Sequence, residues 1–361
     1  MGAYRALYIH IPFCKQRCGY CDFTTEARAQ DDPALDAYLD ELLRAVRSAS
    51  RNGELGSAES IYIGGGTPTH LGHKRLVNLV YTLSLSLNLH DDTEFTVEAN
   101  PESLTAPLVR DLFALGVNRF SIGVQSFDDR ELAALGRVHD AQQARAAVEI
   151  VRERCENISL DLMCGIPLQT PGSWEQSLAT ALATGVNHVS VYPLSIEEGT
   201  PLVGFAVDED IQATMMEDAA AMLGAAGLER YEVASYARPG FACRHNTAYW
   251  TGLAYLGLGK GAHGMRMTAE GRERLVDGAV QELLTFPEAA AEDLMLGMRR
   301  AQGVSLEQVA AASTLLPNMQ QAFEQALDRG LVRVSNGRYQ PTDLGWLNGN
   351  ELYSTIWDAR S

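Results

Sequence analysis

The segment Cys14-Lys15-Gln16-Arg17-Cys18-Gly19-Tyr20-Cys21 places three cysteines on one short loop, with gaps of three and two residues. Three thiolates this close together suit three corners of a cubane iron–sulfur cluster, whose remaining iron receives no protein ligand from the segment. Zinc is the weaker interpretation, because structural zinc sites normally close with four ligands in paired spacings. Disulfides are also disfavoured, since they would close very small loops. The loop therefore predicts a cluster with one open iron.

Around this loop, apolar strand-like runs alternate with helical stretches in the order expected of a parallel sheet with crossover helices. The polar and glycine-rich residues of the region fall at or just past the C-terminal ends of the strands, where parallel β/α barrels carry their active sites. The sequence therefore predicts an α/β fold with a partial, TIM-like (β/α)6 barrel. The predicted strands are Arg5 to Ile11, Ser60 to Ile63, Glu94 to Ala99, Arg119 to Val124, Ile158 to Met163 and His188 to Tyr192, and the predicted helices are Asp36 to Ser48, Lys74 to Leu85, Ala106 to Leu115, Ala141 to Arg154 and Trp174 to Ala183.

Beyond residue 235 the β/α rhythm stops and the chain becomes rich in glycine and aromatic residues. After Phe286 it is helical again, and residues 331–339 form a predicted hairpin that turns at Asn336-Gly337. Helices followed by a hairpin indicate a small helical, winged-helix-like module. We therefore expect a core in residues 1–235 and a C-terminal region in residues 236–361.

Composition limits the classes of partner. The 361 residues carry a formal charge of −17, which argues against general affinity for the phosphates of nucleic acid. The apolar runs are broken well short of a membrane span, and no export signal is visible at the start of the chain. The six cysteines fit a reducing compartment. We therefore expect a cytoplasmic protein with no nucleic-acid partner.

The cysteine loop, with Phe13 before it and Phe23 after it, resembles the radical S-adenosylmethionine (radical SAM) superfamily. In that family the methionine amino and carboxylate groups of the cofactor chelate the open iron, and electron transfer cleaves the sulfonium to a 5'-deoxyadenosyl radical. The resemblance implies that Cys14, Cys18 and Cys21 hold a 4Fe-4S cluster. It also implies an electron donor that reduces this cluster.

The run Gly64-Gly65-Gly66-Thr67-Pro68 follows the second predicted strand, where residues without a Cβ let backbone N–H groups approach a charged ligand. The resemblance makes this run the contact to the methionine amino group, and a simple tight turn is the alternative. Glu98 could accept hydrogen bonds from a ribose or amino group or be a solvated strand end. Arg137 could pair with the cofactor carboxylate or be a surface residue. The residues that the resemblance assigns to S-adenosylmethionine are Tyr8, Tyr20, Gly65, Gly66, Thr67, Glu98, Gln125, Arg137 and Asp161.

Longer strings, namely residues 10–14, 165–170 and 257–264, make the chain similar to the oxygen-independent coproporphyrinogen III oxidase-like family. One branch of that family oxidatively decarboxylates coproporphyrinogen propionates, and another consists of heme chaperones. The decarboxylating branch has a further cysteine where this chain has Phe23, and it has a long extension where only 13 residues precede Cys14. Both differences favour the chaperone branch. Coproporphyrinogen dehydrogenase activity is the alternative, and radical modification of RNA or of another small molecule is the weakest.

The string His245-Asn246-Thr247-Ala248-Tyr249-Trp250 matches the HNxxYW motif of the chaperone branch. A neutral imidazole is a common axial ligand of heme iron, and Tyr249 or Trp250 could line a porphyrin face. His245 is therefore the candidate heme ligand, with two alternatives: a structural, hydrogen-bonded histidine at the module boundary, or ligation by Cys243 instead. The resemblance implies transfer of heme to apo-hemoproteins such as respiratory cytochromes, and it allows a homodimer and peripheral membrane contact.

A few further residues keep open roles. His10 could donate a hydrogen bond near the cluster or be a buried structural residue. His263 is placed near the cofactor by resemblance alone. Cys155 is expected to be structural, and Cys164 follows the fifth predicted strand and could reach the site.

Overall fold

The computed structural model describes residues 4–21, 23–196, 198–205 and 208–360. Its strands are β1 (Ala6–Ile11), β2 (Phe13–Cys14), β3 (Glu26–Ala27), β4 (Ser60–Gly65), β5 (Glu94–Ala99), β6 (Arg119–Gln125), β7 (Ile158–Cys164), β8 (His188–Pro193), β9 (Glu229–Arg230), β10 (Ser235–Ala237), β11 (Tyr255–Leu258), β12 (His263–Met267), β13 (Arg272–Val276), β14 (Ala279–Leu284), β15 (Val304–Ser305), β16 (Val332–Ser335) and β17 (Arg338–Pro341).

The helices are α1 (Pro33–Arg51), α2 (His73–Ser86), α3 (Ala106–Ala114), α4 (Asp129–Ala134), α5 (Ala141–Arg152), α6 (Pro171–Ala183), α7 (Glu209–Ala225), α8 (Arg244–Trp250), α9 (Phe286–Gly297), α10 (Leu306–Ser313), α11 (Met319–Asp328), α12 (Asp343–Leu347) and α13 (Gly349–Asp358). Short 3-10 turns follow β4 and β5, at Pro68–Leu71 and Pro101–Ser103.

The centre of the main sheet is the predicted β/α unit. Strands β1, β4, β5, β6, β7 and β8 pair in parallel in chain order, with helices in the connections between them. Parallel neighbours need such crossovers, which explains the regular spacing of strand-like and helical runs. The bounds of these strands and crossover helices agree with those expected from the sequence to within three residues. The partial (β/α)6 barrel is confirmed.

The sheet is extended at both of its edges by strands from residues 229–284. At one edge β10 pairs antiparallel with β8, and β9 pairs with β10. At the other edge β11 pairs in parallel with β1, and β12, β13 and β14 follow as antiparallel strands. The glycine-rich segment therefore contributes strands, although glycine is a poor strand former. Gly257 shows why it stands there, because a Cβ would collide with the His263 carbonyl of the adjacent strand.

The described chain has two large hydrophobic cores and one small cluster made by Leu135, Met163, Ile166 and Leu194. Of the two large cores, one joins the parallel strands to α1, α2, α3, α5, α6 and α7, and the other lies among residues 291–359. This second core belongs to α9, α10, α11 and α13 and to a sheet in the order β15-β17-β16. Its hairpin turns at Asn336 and Gly337, whose φ angles of 50° and 70° fit the predicted Asn-Gly turn. Among the described helices, none has the length and apolar character that a membrane span requires.

Candidate functional site

A cavity of about 310 Å³ lies at the C-terminal ends of the parallel strands, with the cysteine loop as one wall. This volume is in the range of small-molecule and cofactor sites. The cavity brings together all three cysteines of the loop and all but one of the residues expected to contact S-adenosylmethionine. These lining residues are Cys14, Cys18, Cys21, Tyr20, Gly65, Gly66, Thr67, Glu98, Gln125, Arg137 and Asp161.

Each thiol of the loop has a hydrogen-bonding partner supplied by the surrounding chain. The pairs are Thr67 Oγ1 to Cys14 Sγ at 3.5 Å, Arg137 Nη1 to Cys18 Sγ at 3.4 Å, and Thr25 Oγ1 with Cys21 Sγ at 3.7 Å. Burial raises the pKa of the Cys14 thiol to about 11. The thiolate that a metal requires would therefore have to be stabilised by the metal itself.

The donor set fits an iron–sulfur cluster. The three cysteines are free and partly exposed, and they share one loop at the cavity wall. Among the residues that the structure describes, no three His, Cys, Asp or Glu side chains converge as a single metal ion would require. A cubane instead takes one thiolate on each of three irons, so its ligand sulfurs stand apart.

The glycine run is packed directly against the strand that leads into the cysteine loop. Gly66 N donates to Ile11 O at 2.8 Å, and Thr67 N donates to Phe13 O at 2.9 Å. A Cβ on Gly66 would stand 2.9 Å from Cys14 Sγ, so this close approach requires glycine. The N–H groups of residues 65–67 are all engaged within the chain. The run therefore offers no free N–H group at residues 65–67, and its predicted contact with the cofactor amino group, which would have to use acceptor oxygens, stays a prediction.

His10 supports the far end of the cysteine loop rather than lining the cavity. Its Nε2 lies 3.1 Å from Thr24 O and must donate to it, so Nδ1 accepts from Tyr8 Oη at 3.0 Å. Burial lowers the pKa of His10, which favours this neutral form. His10 is therefore a buried residue that also donates a hydrogen bond to the backbone just past the cysteine loop. Tyr8 accordingly lies behind the cavity, outside its lining.

Two carboxylic acids face the cavity. Glu98 accepts hydrogen bonds from Tyr62 Oη at 2.7 Å and Gly65 N at 3.0 Å, and burial raises its pKa to about 7. Asp161 accepts from Ser121 Oγ at 3.2 Å, and burial raises its pKa to about 6. A cationic ligand would favour the ionised form of both acids. The site therefore suits a ligand with net positive charge.

Arg137 provides the opposite charge in the same cavity. Its Nη2 donates to Asn100 Oδ1 at 2.7 Å and to Gly123 O at 2.6 Å. Its Nε is buried without a hydrogen-bond partner in the described chain. An unpaired buried donor is costly, and a ligand carboxylate would satisfy it.

Gln125 reaches the cavity through a distortion of β6. The ladder between β6 and β7 shifts register between Gly123 and Gln125, and Gln125 has a φ of 68°. Left-handed backbone is unfavourable for a residue other than glycine, and strain of this kind clusters at functional sites. The bulge lets the strand present the Gln125 side chain to the cavity instead of continuing the regular ladder.

The structure does not bring His245 to the cavity. The residue is only 1% exposed at the other end of the sheet, where its N–H donates to Glu94 at the start of β5. Its Nδ1 lies 3.0 Å from Ser60 Oγ and its Nε2 lies 3.3 Å from Tyr249 Oη. Burial lowers its pKa to about 3. Because both ring nitrogens are engaged, His245 is not available to iron in this conformation, and it matches the structural alternative.

The other cysteines and His263 also lie outside the cavity lining. Cys243 Sγ lies 3.4 Å from Glu94 Oε1, and Cys155 Sγ lies 3.1 Å from Asn118 O. Cys164 ends β7, but its thiol is fully buried and its pKa is raised to about 12. His263 is exposed and pairs with Val276 in the β12–β13 ladder.

Several residues of the site had no predicted role. Asn100 and Thr25 lie shortly after residues with a predicted role, Glu98 and Cys21. Tyr62 and Ser121 lie inside strands for which only residues at the C-terminal end had a predicted role. The rule that located Glu98 near the end of β5 could have found Asn100, which lies just past that end. Tyr62 and Ser121 carried a weaker signal, namely polar groups between buried apolar neighbours in β4 and β6.

Comparison with known proteins agrees with this geometry. Residues 8–181 match the radical SAM superfamily, and residues 284–347 match the HemN C-terminal domain. The heme chaperone HemW of Bacillus subtilis is 34% identical, over 98% of this chain and 99% of the relative. HemW of Mycobacterium tuberculosis is 34% identical, over 97% and 94%. HemW of Escherichia coli is 38% identical, over 74% and 71%.

The fold is also that of a solved relative. The structure of the coproporphyrinogen III oxidase HemN from Escherichia coli, a radical SAM enzyme, superposes with a TM-score of 0.81 at 20% identity, over 98% of this chain and 90% of that one. At this identity the likeness concerns the fold. The near-complete alignment with HemW proteins, together with the cysteine loop at the cavity, shows that the chain belongs to the HemW family of the radical SAM superfamily.

Proposed function

We propose that this protein is a heme chaperone, which binds heme and transfers it to an apo-hemoprotein such as a respiratory cytochrome. The full-length similarity to proteins named heme chaperone HemW supports this proposal. The structural observation that carries it is the cavity walled by three free cysteines, each with a hydrogen-bonding partner. This is where the cofactors of a radical SAM protein, a 4Fe-4S cluster and S-adenosylmethionine, would be held.

In this proposal Cys14, Cys18 and Cys21 hold the cluster, which when bound supplies single electrons to a cofactor sulfonium. Arg137 pairs its free Nε with the cofactor carboxylate. Glu98 accepts hydrogen bonds from an amino or ribose group. Of the other predicted contacts, all but Tyr8 line the same cavity, namely Tyr20, Gly65, Gly66, Thr67, Gln125 and Asp161.

The heme site is a separate part of the proposal. His245 ligates heme only if α8 moves, because Glu94, Ser60 and Tyr249 hold the residue in place. The larger proposal does not depend on this ligand. We also propose three kinds of partner, each of which needs its own test: a protein that reduces the cluster, a second copy of the chain in a homodimer, and a membrane surface.

The proposal is tested by reconstituting the protein anaerobically and comparing wild type, Cys18→Ser and Cys155→Ser. Cys155 is the matched control, because it is a buried thiol outside the cavity and serine keeps its hydrogen-bonding group. We expect about four irons per chain in wild type and in the control, and loss of most iron from Cys18→Ser. Transfer is followed as a Soret band that appears on a separable apo-cytochrome. A wild-type protein that holds its cluster but transfers no heme contradicts the chaperone function.

A further inference from the structure

Asn100 links two of the cluster cysteines through a chain of hydrogen bonds. Its Oδ1 accepts from Arg137 Nη2 at 2.7 Å, and its Nδ2 donates to Thr67 Oγ1 at 3.0 Å. Arg137 and Thr67 are in turn the donors to Cys18 Sγ and Cys14 Sγ, at 3.4 and 3.5 Å. The neutral amide of Asn100 therefore joins the two side chains that donate hydrogen bonds to Cys14 Sγ and Cys18 Sγ.

The polarity of this chain fixes which way each group points. Because the Thr67 oxygen accepts from Asn100, its single hydroxyl proton is free for Cys14 Sγ. Asn100 Oδ1 and Gly123 O together hold the Nη2 end of Arg137, which aims Nη1 at Cys18. A residue that only accepts, or only donates, could not orient both partners in this way.

Asn100 is itself held firmly. It lies just past β5 in extended backbone, and its carbonyl accepts from Ser103 N at 3.0 Å and Ser103 Oγ at 2.8 Å. Ser103 Oγ also lies 2.6 Å from Thr69 Oγ1, which ties this turn to the loop that carries Thr67. Gly123 packs against the amide so closely that a Cβ there would stand 3.1 Å from Asn100 Oδ1. The amide is thus fixed from both the backbone and the side-chain end.

We propose that Asn100 is a positioning residue that keeps Thr67 and Arg137 as hydrogen-bond donors to Cys14 and Cys18, and thereby raises the reduction potential of the cluster. The inference rests on the proposed function, because it requires the cluster on these cysteines. Hydrogen bonds to the ligand sulfurs offset the negative charge that the cluster gains on reduction, so they favour the reduced state. Asn100 acts only through its two partners and touches neither cluster sulfur.

The test compares reconstituted wild type, Asn100→Ala and Asn100→Asp at one applied potential, with the reduced fraction of the cluster read by EPR. Asn78→Asp is the matched control for added charge, because Asn78 is exposed on α2. At the potential where wild type is half reduced, we expect the ratio of reduced to oxidised cluster to fall about tenfold in Asn100→Ala, the effect of weakening one hydrogen bond to a charged group. Asn100→Asp should fall further, and Asn78→Asp should match wild type.

Thr67 variants test the route of the effect. Thr67→Val removes the hydroxyl at nearly constant shape and should also lower the ratio, whereas Thr67→Ser should restore it. The double variant Asn100→Ala with Thr67→Val should lower the ratio by less than the product of the single effects, because both act on Cys14.

The outcomes separate the two proposals. A wild-type chain that assembles no cluster removes the proposed function and the inference with it. A wild-type chain with its cluster, next to an Asn100→Ala variant with an unchanged ratio, overturns the inference alone. A folded Asn100→Ala that takes up no iron also overturns it, because Asn100 would then serve assembly and not tuning. If the Asn100 variants do not fold, equal ratios in Thr67→Val and Thr67→Ser overturn it.

Discussion

Glu98 and Asp161 give the cavity a pH dependence that can be worked out from their surroundings. Burial raises the pKa of Glu98 to about 7 and that of Asp161 to about 6, while nearby Arg119 opposes both shifts. Each acid is neutral below its pKa and charged above it. S-adenosylmethionine carries a sulfonium, an ammonium and one carboxylate, so ionised acids attract it. The affinity should therefore rise as pH increases from about 5.5 to 8.

Equilibrium dialysis of S-adenosylmethionine against the reconstituted protein measures this rise. Glu98→Gln should remove most of the rise in affinity around pH 7, because the amide has nearly the same shape as the carboxyl group but cannot ionise. S-adenosylhomocysteine, which lacks the sulfonium charge, should show a weaker dependence than the cofactor itself. A wild-type affinity that stays constant from pH 5.5 to 8 would falsify this electrostatic account.

At the same scale, the sequence could predict where polar side chains gather but not how they bond. Glu98, Gln125 and Asp161 were found because they fall at or near strand ends, and a parallel sheet brings those ends together. Whether the N–H groups of the glycine run were free depended on contacts with Phe13 and Ile11, which precede the run by more than 50 residues. Long-range contacts of this kind leave no local pattern in a sequence.

At the scale of elements, α8 differs most from its predicted role, because it buries the candidate heme ligand His245 away from the cavity. His245 and Tyr249 stand four residues apart, a spacing that places two side chains on the same side of a helix, and His245 Nε2 lies 3.3 Å from Tyr249 Oη. The burial of that side was not predictable, because it depends on where the helix docks. Glu94 decides this, since its carboxylate accepts from the backbone N–H groups of Arg244 and His245 and holds α8 at the start of β5.

His245→Ala should lower the free energy of unfolding by about 2 to 4 kcal/mol, because it leaves a buried cavity and an unpaired Ser60 hydroxyl. Urea denaturation of the apoprotein measures the change. Heme titration of the same variant should give the wild-type stoichiometry if His245 is structural. A variant that is as stable as wild type but retains no heme would contradict this and make His245 an iron ligand.

At the scale of the whole molecule, the six-stranded centre was predictable, because each strand and helix has its own periodicity. The edges of the sheet were not. Strand β11 pairs with β1, which lies about 250 residues earlier in the chain. Because glycine is rare in strands, the glycine-rich sequence around β11 does not predict a strand. Ionic contacts then link the sheet to the C-terminal module, where Arg272 of β13 lies 2.6 Å from both Glu292 and Asp293. The C-terminal module is thus joined by ion pairs to the main sheet, which also contains β1, the strand that precedes the cysteine loop.

The central claim, that this protein binds heme and does not decarboxylate coproporphyrinogen III, is tested most directly with one anaerobic measurement. The reconstituted protein is incubated with S-adenosylmethionine, a reductant and either coproporphyrinogen III or heme, and the products are followed by mass spectrometry and by the Soret spectrum after gel filtration. We predict that heme stays with the protein with its mass unchanged and that coproporphyrinogen III is recovered intact. Formation of protoporphyrinogen, with loss of two carboxyl groups, would contradict the account.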